Sequence, residues 1–385
     1  MNKETKMKRY KTIILGCGAS GAMCAVSSSQ KDMAILDVAS KPAKKILVTG
    51  NGRCNLTNLN MNSSFYNVNI DDFLGRFNEK KTLDFFGALG LETYADEQGR
   101  VYPLTNSAKS VVEILSRNIK CPLHLGCKIE KIAYGSKKYT ILTEKEEFEC
   151  EKLVVALGGN CKELLDNLKI KYQKFVPSLV ALKCDGTRDL NGARVSDVLV
   201  SVYDKHGNKK SERGEVLFKE NGISGIVVFN LSSFFARKND FRGKIVLDLL
   251  PDLTLSDLHK KVEKRTHLNV NLDKMFVGMF ENSVANEIFR QAKINTNKNS
   301  EKATKAEIER MCSAIKALQF EVNGAYENNQ VYSGGVRLKD LTPNLESKEM
   351  KNLYVIGEAA NVDGVCGGYN LQWAWTSGFI VGKQL

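Results

Sequence analysis

Three glycines, Gly16, Gly18 and Gly21, form a G-x-G-x-x-G, and an acid, Asp37, stands 21 residues after the first of them. Those residue types at that spacing suit a dinucleotide. Gly16 allows a tight turn, Gly18 lets a pyrophosphate approach the backbone, and Gly21 lets a helix pack closely on a sheet. With Ala19 and Ser20 in the turn leading into it, the helix that follows would present its amides and positive dipole end to the phosphates. The Asp37 carboxylate can accept both hydroxyls of an adenosine ribose. The flanking pattern supplies the elements: residues 10–15 read as a buried strand, 22–29 as a helix of small residues, and 33–37 as a second strand. A lone glycine motif is weak, but strand, glycines, helix, strand and acid in this order predict a dinucleotide site. A plain βαβ turn would explain the glycines and leave Asp37 without a purpose. The motif does not separate NAD from FAD.

Two further segments carry chemistry. Residues 44–58 read KKILVTGNGRCNLTN, with Lys45, Gly52, Arg53, Cys54 and Asn55 in a loop of backbone amides and polar side chains. Alone, this segment suits a cofactor loop and a plain turn rich in Gly and Asn equally well. Near the other end, LYVIGE at 353–358 is a second strand-to-glycine junction. It is followed by Asp363, Gly367, Gly368, Tyr369, Asn370 and Leu371 and a helix-length segment to Val381. A strand ending in Gly357-Glu358, then a glycine-rich turn feeding a helix, is what the second half of an extended cofactor needs. A positive helix end beside a flavin ring favours its anionic reduced form. Residues 152–157, followed by Gly158 and Gly159, read as another strand returning to the crevice, with Ala156 at its end.

The 44–58 segment and GEAANVDGVCGGYNLQWAWTSG at 357–378 together resemble the bacterial flavoproteins known as BaiN-like or aminoacetone oxidase family NAD(P)/FAD-dependent oxidoreductases. DEQGRVYP at 96–103, GEVLFKENGISG at 214–225 and SGGVRL at 333–338 agree in the same order. Cys17 inside the first glycine motif and Leu157, where Thr is more usual, depart from the pattern without removing a glycine. The resemblance implies FAD and an α/β fold. A Rossmann-type, glutathione-reductase-like FAD-binding domain is built from both chain ends, with an inserted β-barrel and a small helical subdomain. The expected boundaries are 1–183 and 334–385 for the FAD-binding domain, 184–250 and 320–333 for the barrel, and 251–319 for the helices. By analogy with related flavoproteins, Ile129, ending a β-like run from Leu125, is expected to touch adenine through its backbone.

The middle of the chain fits such a plan. Residues 179–182, 198–202, 225–229 and 244–247 read as short strands, with a turn at His206-Gly207-Asn208. From Thr254 onward the pattern is helical, with Ser256 as a cap and Thr304 with Glu307 as a capping box.

The resemblance implies two reactions: reduction of a carbon–carbon double bond conjugated to a ketone, as in bile-acid metabolism, or oxidation of a small amine such as aminoacetone. Both move a hydride to or from flavin N5. An ene-type reduction also needs a proton, for which Arg53, Tyr102, Tyr332 and Tyr369 are candidates against plain packing roles. Cys54 reads as a redox thiol or, with no partner cysteine nearby, as a buried structural one. No second G-x-G-x-x-G occurs, since 222–225 and 364–368 lack the spacing or the preceding strand. NAD(P)H is therefore expected to dock transiently, if it serves.

Composition narrows the field. Hydrophobic residues make up 43% and charged residues 26% of 385, a globular profile, and no run approaches the roughly 20 apolar residues of a membrane span. Ten cysteines form no C-x-x-C and only four histidines occur, so no metal site is expected. A basic start (Lys3, Lys6, Lys8, Arg9) leads to Ile13–Leu15, but the apolar run breaks at Gly16, as in a strand and turn and unlike a secretion signal. A cytoplasmic protein acting on a small organic molecule is the expectation, with no membrane and no nucleic-acid partner. The net charge of +12 keeps an RNA-associated flavoprotein open as an alternative, beside a non-catalytic FAD sensor.

Overall fold

The computed structural model describes residues 7–385; Lys3 and Lys6 of the basic start lie outside them. Along the first part of the chain run β1 (Lys8–Leu15), α1 (Ala19–Ser27), β2 (Met33–Asp37), β3 (Thr57–Asn58), α2 (Asp71–Arg76), α3 (Glu79–Ala88), β4 (Thr93–Ala95), β5 (Arg100–Pro103) and α4 (Ala108–Asn118). Next come β6 (Leu123–Leu125), β7 (Ile129–Gly135), β8 (Lys138–Thr143), β9 (Glu147–Val155), α5 (Lys162–Asn167) and β10 (Gln173–Ser178). The middle holds β11 (Leu182–Cys184), β12 (Arg194–Asp204), β13 (Lys209–Lys219), β14 (Gly222–Ser224), α6 (Ile226–Ala236), β15 (Gly243–Asp248), α7 (Leu255–Thr266), α8 (Asn282–Gln291), α9 (Lys305–Lys316) and β16 (Leu318–Ala325). The chain returns through β17 (Val331–Gly335), β18 (Leu353–Val355) and α10 (Tyr369–Gly382). One compact unit comprises the residues up to Val176 together with Gln330–Leu385; the other is Pro177–Asn329.

The first unit is built on a parallel sheet. Its strands run β6-β2-β1-β9, and β18 pairs with the C-terminal half of β9 at Leu153–Val155. Strands of such a sheet are buried on both faces and read as continuous apolar runs, which Ile13-Ile14-Leu15 and Leu153-Val154-Val155 are, all fully buried. The antiparallel β7-β8-β9 meander completes the sheet, and β3-β5-β4 makes a separate small one.

The second unit closes β11-β14-β13-β12-β15-β16 into a barrel, with the β12–β13 hairpin turning at His206–Asn208 as expected. Four local expectations are corrected. Residues 225–229 are not a strand: Ile226–Ala236 is a helix, entered through Gly225 and buried on most of its surface. A continuous apolar run cannot be told from a buried helix by period, and its length of 11 residues favours the helix. Of 179–182 only Leu182 is in a strand. Residues 125–129 are the joint between β6 and β7. Thr254, not Ser256, caps α7, its side chain accepting from Asp257 N, whereas the Thr304–Glu307 capping box of α9 is present.

Helices α1 and α10 lie against each other in the first unit. A Cβ at Gly378 would stand 2.4 Å from Ser20 O, and one at Gly382 2.5 Å from Cys24 O. Contact therefore advances in the same direction along both helices, so they are parallel, and only hydrogen fits between them. Gly378→Ala is expected to force them apart and cost about 1–3 kcal/mol. Denaturant unfolding checks this, and an unchanged midpoint would refute the close packing.

Candidate functional site

The parallel strands end along one edge, where α/β sheets of this type hold ligands. At the end of β1, Gly16 N donates to Leu36 O at 2.8 Å and Ala156 N to Leu15 O at 2.9 Å, tying the glycine turn to β2 and β9. A Cβ on Gly21 would lie 2.0 Å from Gly16 O, so the side chain must be absent for α1 to start here. Helix α1 starts at Ala19, earlier than expected, which puts Ala19, Ser20 and Gly21 in its first turn. Gly18 is its N-cap, no side chain caps it, and no acid lies in its first turn. A Cβ on Gly18 would meet nothing within 4 Å. Unsatisfied amides thus face open space, a ready anion cradle.

The Asp37 carboxylate is fixed beside that cradle. It accepts Cys17 N at 2.5 Å and Ala39 N at 2.7 Å, which holds it at the end of β2 with acceptor capacity to spare. Burial, reinforced by the Asp37 charge, pushes the Cys17 thiol up to about 12, so it stays neutral. Ile129 pairs with Thr143 at the start of β7, while Cys127 N and Gly126 N donate to Asp37 O and Ala39 O beside the Asp37 carboxylate.

Five predicted residues converge at the middle of the edge. Gly158 and Gly159 follow β9 in a single turn of 3-10 helix. Glu358 accepts Tyr332 N at 2.5 Å through Oε1, and Lys45 Nζ stands 3.3 Å from its Oε2. A Cβ on Gly158 would be 2.9 Å from that same Oε2, and one on Gly159 would sit inside the Tyr332 ring. Tyr332 is therefore packed over Gly159.

The third cluster surrounds the start of α10. Its N-cap, Gly368, has φ 98° and has no side-chain cap, and no acid stands in the first turn. A Cβ there would strike Thr57 O at 2.5 Å. Asn58 Nδ2 donates to Gly367 O at 2.9 Å, and the Asn55 amide satisfies both Thr57 O and Gly368 N. Asn370 clasps Gly364 through N and O, and Ser333 Oγ donates to Asp363 Oδ2 at 3.0 Å. Trp373 Nε1 donates to Gly357 O at 2.9 Å, and Gly357 N donates to Ser377 Oγ. Tyr369 is buried, stacked on Phe65 with centroids 4.5 Å apart, and burial raises its phenol; Leu371 packs against the core. This geometry makes Tyr369 a packing residue.

Arg53 and Tyr102 stand together. The guanidinium lies over the Tyr102 ring, 4.5 Å from its centroid, and Tyr102 is itself 3% exposed. Gly52 is the last residue of the kinked Lys44–Gly52 turn, and Cys54 follows Arg53 at φ 60°. Burial pushes the Cys54 thiol up to about 12, which suits a structural cysteine. All ten cysteines are free thiols. Sequence reasoning missed the fully buried Gln372, which bonds Thr57, Thr82 and Thr376 beneath α10. An amide inside the apolar LQWAW run is the signal that could have found it.

The arrangement fits a dinucleotide with two halves. Because α1 and α10 are parallel and Gly378 is level with the first turns of α1, α10 begins nine residues, roughly 13 Å, before that level. Two uncapped helix ends thus face the same side, offset along one crevice beside Asp37. Together with the sheet order this defines a glutathione-reductase-like dinucleotide fold, the class of flavin-dependent oxidoreductases.

Comparison with known proteins agrees. The family described as HI0933-like protein Rossmann domain matches residues 10–384, and the chain belongs to it. It is a flavoprotein, an FAD-dependent oxidoreductase. It is 32% identical to a 3-dehydro-bile acid delta(4,6)-reductase of Clostridium scindens, over 96% of this chain and 97% of that one. It is 25% identical to a ribosomal RNA dihydrouridine synthase of Escherichia coli, over 98% of each. Among solved structures, a 3-ketosteroid delta1-dehydrogenase from Sterolibacterium denitrificans aligns over 98% of this chain and 99% of that one, at 10% identity and a TM-score of 0.48. No helix among the described residues is long and apolar enough to cross a membrane, and no three His, Cys, Asp or Glu side chains among them group as metal ligands.

Asp37→Ala removes a charged acceptor and should weaken FAD retention at least tenfold, given roughly 1.5–3 kcal/mol per hydrogen bond to a charged group. Flavin occupancy after purification reads the loss; full occupancy would remove Asp37 from the site. The thiols give a second expectation. Iodoacetamide at neutral pH should label the partly exposed Cys121 and Cys366 before any other cysteine and leave Cys54 untouched until the protein unfolds, as intact mass and peptide mapping would show. Labelling of Cys54 in the native protein would reopen its redox reading.

Proposed function

We propose that the protein reduces a carbon–carbon double bond conjugated to a carbonyl in a small organic molecule of steroid-like or bile-acid-like class, with NAD(P)H as the electron source. The observation that carries this reading is the 32% identity to the bile-acid reductase along nearly the whole of both chains. FAD, when bound, supplies the hydride-accepting and hydride-donating ring. On this reading Gly16, Gly18, Ala19, Ser20, Gly21 and Asp37 hold its adenine half. Ala156, Gly158, Gly159, Lys45 and Glu358 line its middle. Gly357, Asp363, Gly367, Gly368, Asn370, Leu371, Gly52, Cys54 and Asn55 form the flavin end.

The amides of α1 take up the phosphate charge, and those of α10 favour negative charge on the ring. Arg53 and Tyr102 stand on the substrate side of that end, and a proton reaches the product from Tyr332 or from water. The single glycine motif leaves the nicotinamide to dock and leave.

A second reading rests on the similarity to the RNA dihydrouridine synthase and on the net charge of +12. A dihydrouridine product implies a uracil ring, whose 5,6 double bond is also conjugated to a carbonyl. The two readings therefore share the chemistry and differ in what carries the double bond.

Anaerobic titration with NADH and NADPH, followed in the flavin absorbance window, is the first test. Bleaching is expected, followed by return of the oxidised spectrum on adding a steroid enone. Reoxidation by a uridine-containing RNA and not by enones would install the second reading. A flavin that no nicotinamide reduces but an amine such as aminoacetone does would make the protein an amine oxidase. A flavin that nothing reduces would leave a sensor.

A further inference from the structure

The Arg53 side chain is exposed, lies over the Tyr102 ring and has no charge partner among the described residues. Its Nε reaches Gly50 O at 3.4 Å, and among the described residues no carboxylate lies within ion-pair distance of it and its Nη atoms have no acceptor. Beneath it lies Tyr102, whose ring in turn meets Tyr94, with centroids 5.9 Å apart, and Tyr94 OH donates to Asn106 Oδ1. The loop that presents it is wound tightly: Gly50, Asn51, Gly52 and Cys54 all have positive φ, between 54° and 82°. Two of these four are not glycine, a conformation that costs about 1–2 kcal/mol each and persists only where the surroundings impose it. The loop is fastened at Cys54, fully buried, and at Asn55, whose amide joins Gly368 N at the start of α10. Arg53 therefore stands at the α10 end of the crevice, away from the Gly18 cradle.

We propose that Arg53 is the oxyanion donor of the reaction, binding the carbonyl oxygen of the α,β-unsaturated substrate and taking up the charge that develops there. This rests on the double-bond reduction put forward above. When the hydride and its electron pair reach the β-carbon, the double-bond pair moves between the α-carbon and the carbonyl carbon. The carbonyl pair then moves onto oxygen, giving an enolate. Protonation at the α-carbon restores the carbonyl and completes the addition of two hydrogens, the reductant being NAD(P)H. A guanidinium is a poor acid, because it does not lose its proton in proteins, but its two free Nη edges match an enolate oxygen. Fixed donors aimed at developing charge are worth most where they need no rearrangement. Tyr102 acts through Arg53 as a positioning residue, by the cation–π contact.

The experiment pairs turnover with a stable enolate mimic, 4-hydroxybenzaldehyde, whose phenolate is read by difference spectroscopy. With the flavin-loaded wild type the bound phenol should ionise at lower pH than in solution, because a cation beside it favours the charged form. In Arg53→Met that shift should vanish, and kcat on a steroid enone should fall roughly 100- to 1,000-fold, while flavin occupancy and the unfolding midpoint hold. Tyr102→Phe should keep both signals, and Tyr102→Leu should lower kcat more than it raises KM. An unaltered phenol shift and kcat in Arg53→Met would overturn the proposal, and so would loss of the flavin, which would make Arg53 a cofactor anchor. A wild type that reduces no conjugated carbonyl compound at all would bring down the reading of function, and this proposal with it.

Discussion

The parallel contact between α1 and α10 is the constraint from which the site follows. Parallel helices set their positive ends on the same side, which electrostatics disfavours unless an anion answers them. Gly378 and Gly382 on α10 lie so close to Ser20 O, Cys24 O and Ser27 Oγ of α1 that a Cβ at either would come within 2.5 Å of them. The two dipoles are thereby brought as close as helices allow. Neither N-terminus has a capping side chain or an acid in its first turn. Sequences normally supply one of these, and two omissions along one crevice leave both ends free to meet a long anionic cofactor.

An uncapped helix start must be held by something other than its cap, and for α10 the holding is done from below. Gln372 lies one turn into the helix with no exposure, and its amide is met by Thr57, Thr82, Thr376 and Phe77 O. An unmet buried amide would cost a few kcal/mol, so this network fixes which residues of α3 and β3 lie under the helix. Tyr66 OH on Tyr369 O, Asn58 on Gly367 O and Trp375 Nε1 on Leu56 O extend the same hold to the turn and to the 44–58 segment. The loop carrying Arg53 is in this way tied to the helix start from which the reaction would be served.

The βαβ unit with its glycine turn was readable in the sequence because everything it needs is local. Strand, turn, helix and Asp37 lie within 30 residues, and each glycine answers a neighbour in the same βαβ unit. The strand at Leu353–Val355 and the capping box at Thr304 were readable for the same reason. Residues 225–229 were misread as a strand because an unbroken apolar run has no period to measure. The Gln372 network was hidden by distance along the chain, its partners Thr57 and Thr82 lying 315 and 290 residues away. Arg53 was visible as a charged residue in a glycine-rich loop, but its stack on Tyr102 joins that loop to β5, which the β3–β5 pairing brings beside it. The continuous strand expected over 125–129 is broken because the chain turns at Gly126 and Cys127, whose amides bond Ala39 O and Asp37 O.

The distribution of thiols narrows how electrons can leave the cofactor. None of the ten cysteines is paired, and burial raises those at 17, 24, 54, 150, 161 and 184 to about 12 or above, so they are neutral and poor nucleophiles. A relay through a dithiol needs an accessible thiolate next to a second sulfur; Cys121 is partly exposed and acts on Cys17 and Cys24, but burial pushes its own thiol up to about 11. On the proposed reading the conjugated carbonyl itself reaches the flavin end. In the first unit, Arg53 on its aromatic shelf, Tyr332 over Gly159 and the Lys45–Glu358 pair are polar side chains set along that edge. A bulky steroid and a uracil ring differ in size and charge but present the same conjugated carbonyl, so one guanidinium can serve either. What tells them apart must then lie outside the dinucleotide crevice, on surfaces that grip the rest of the molecule.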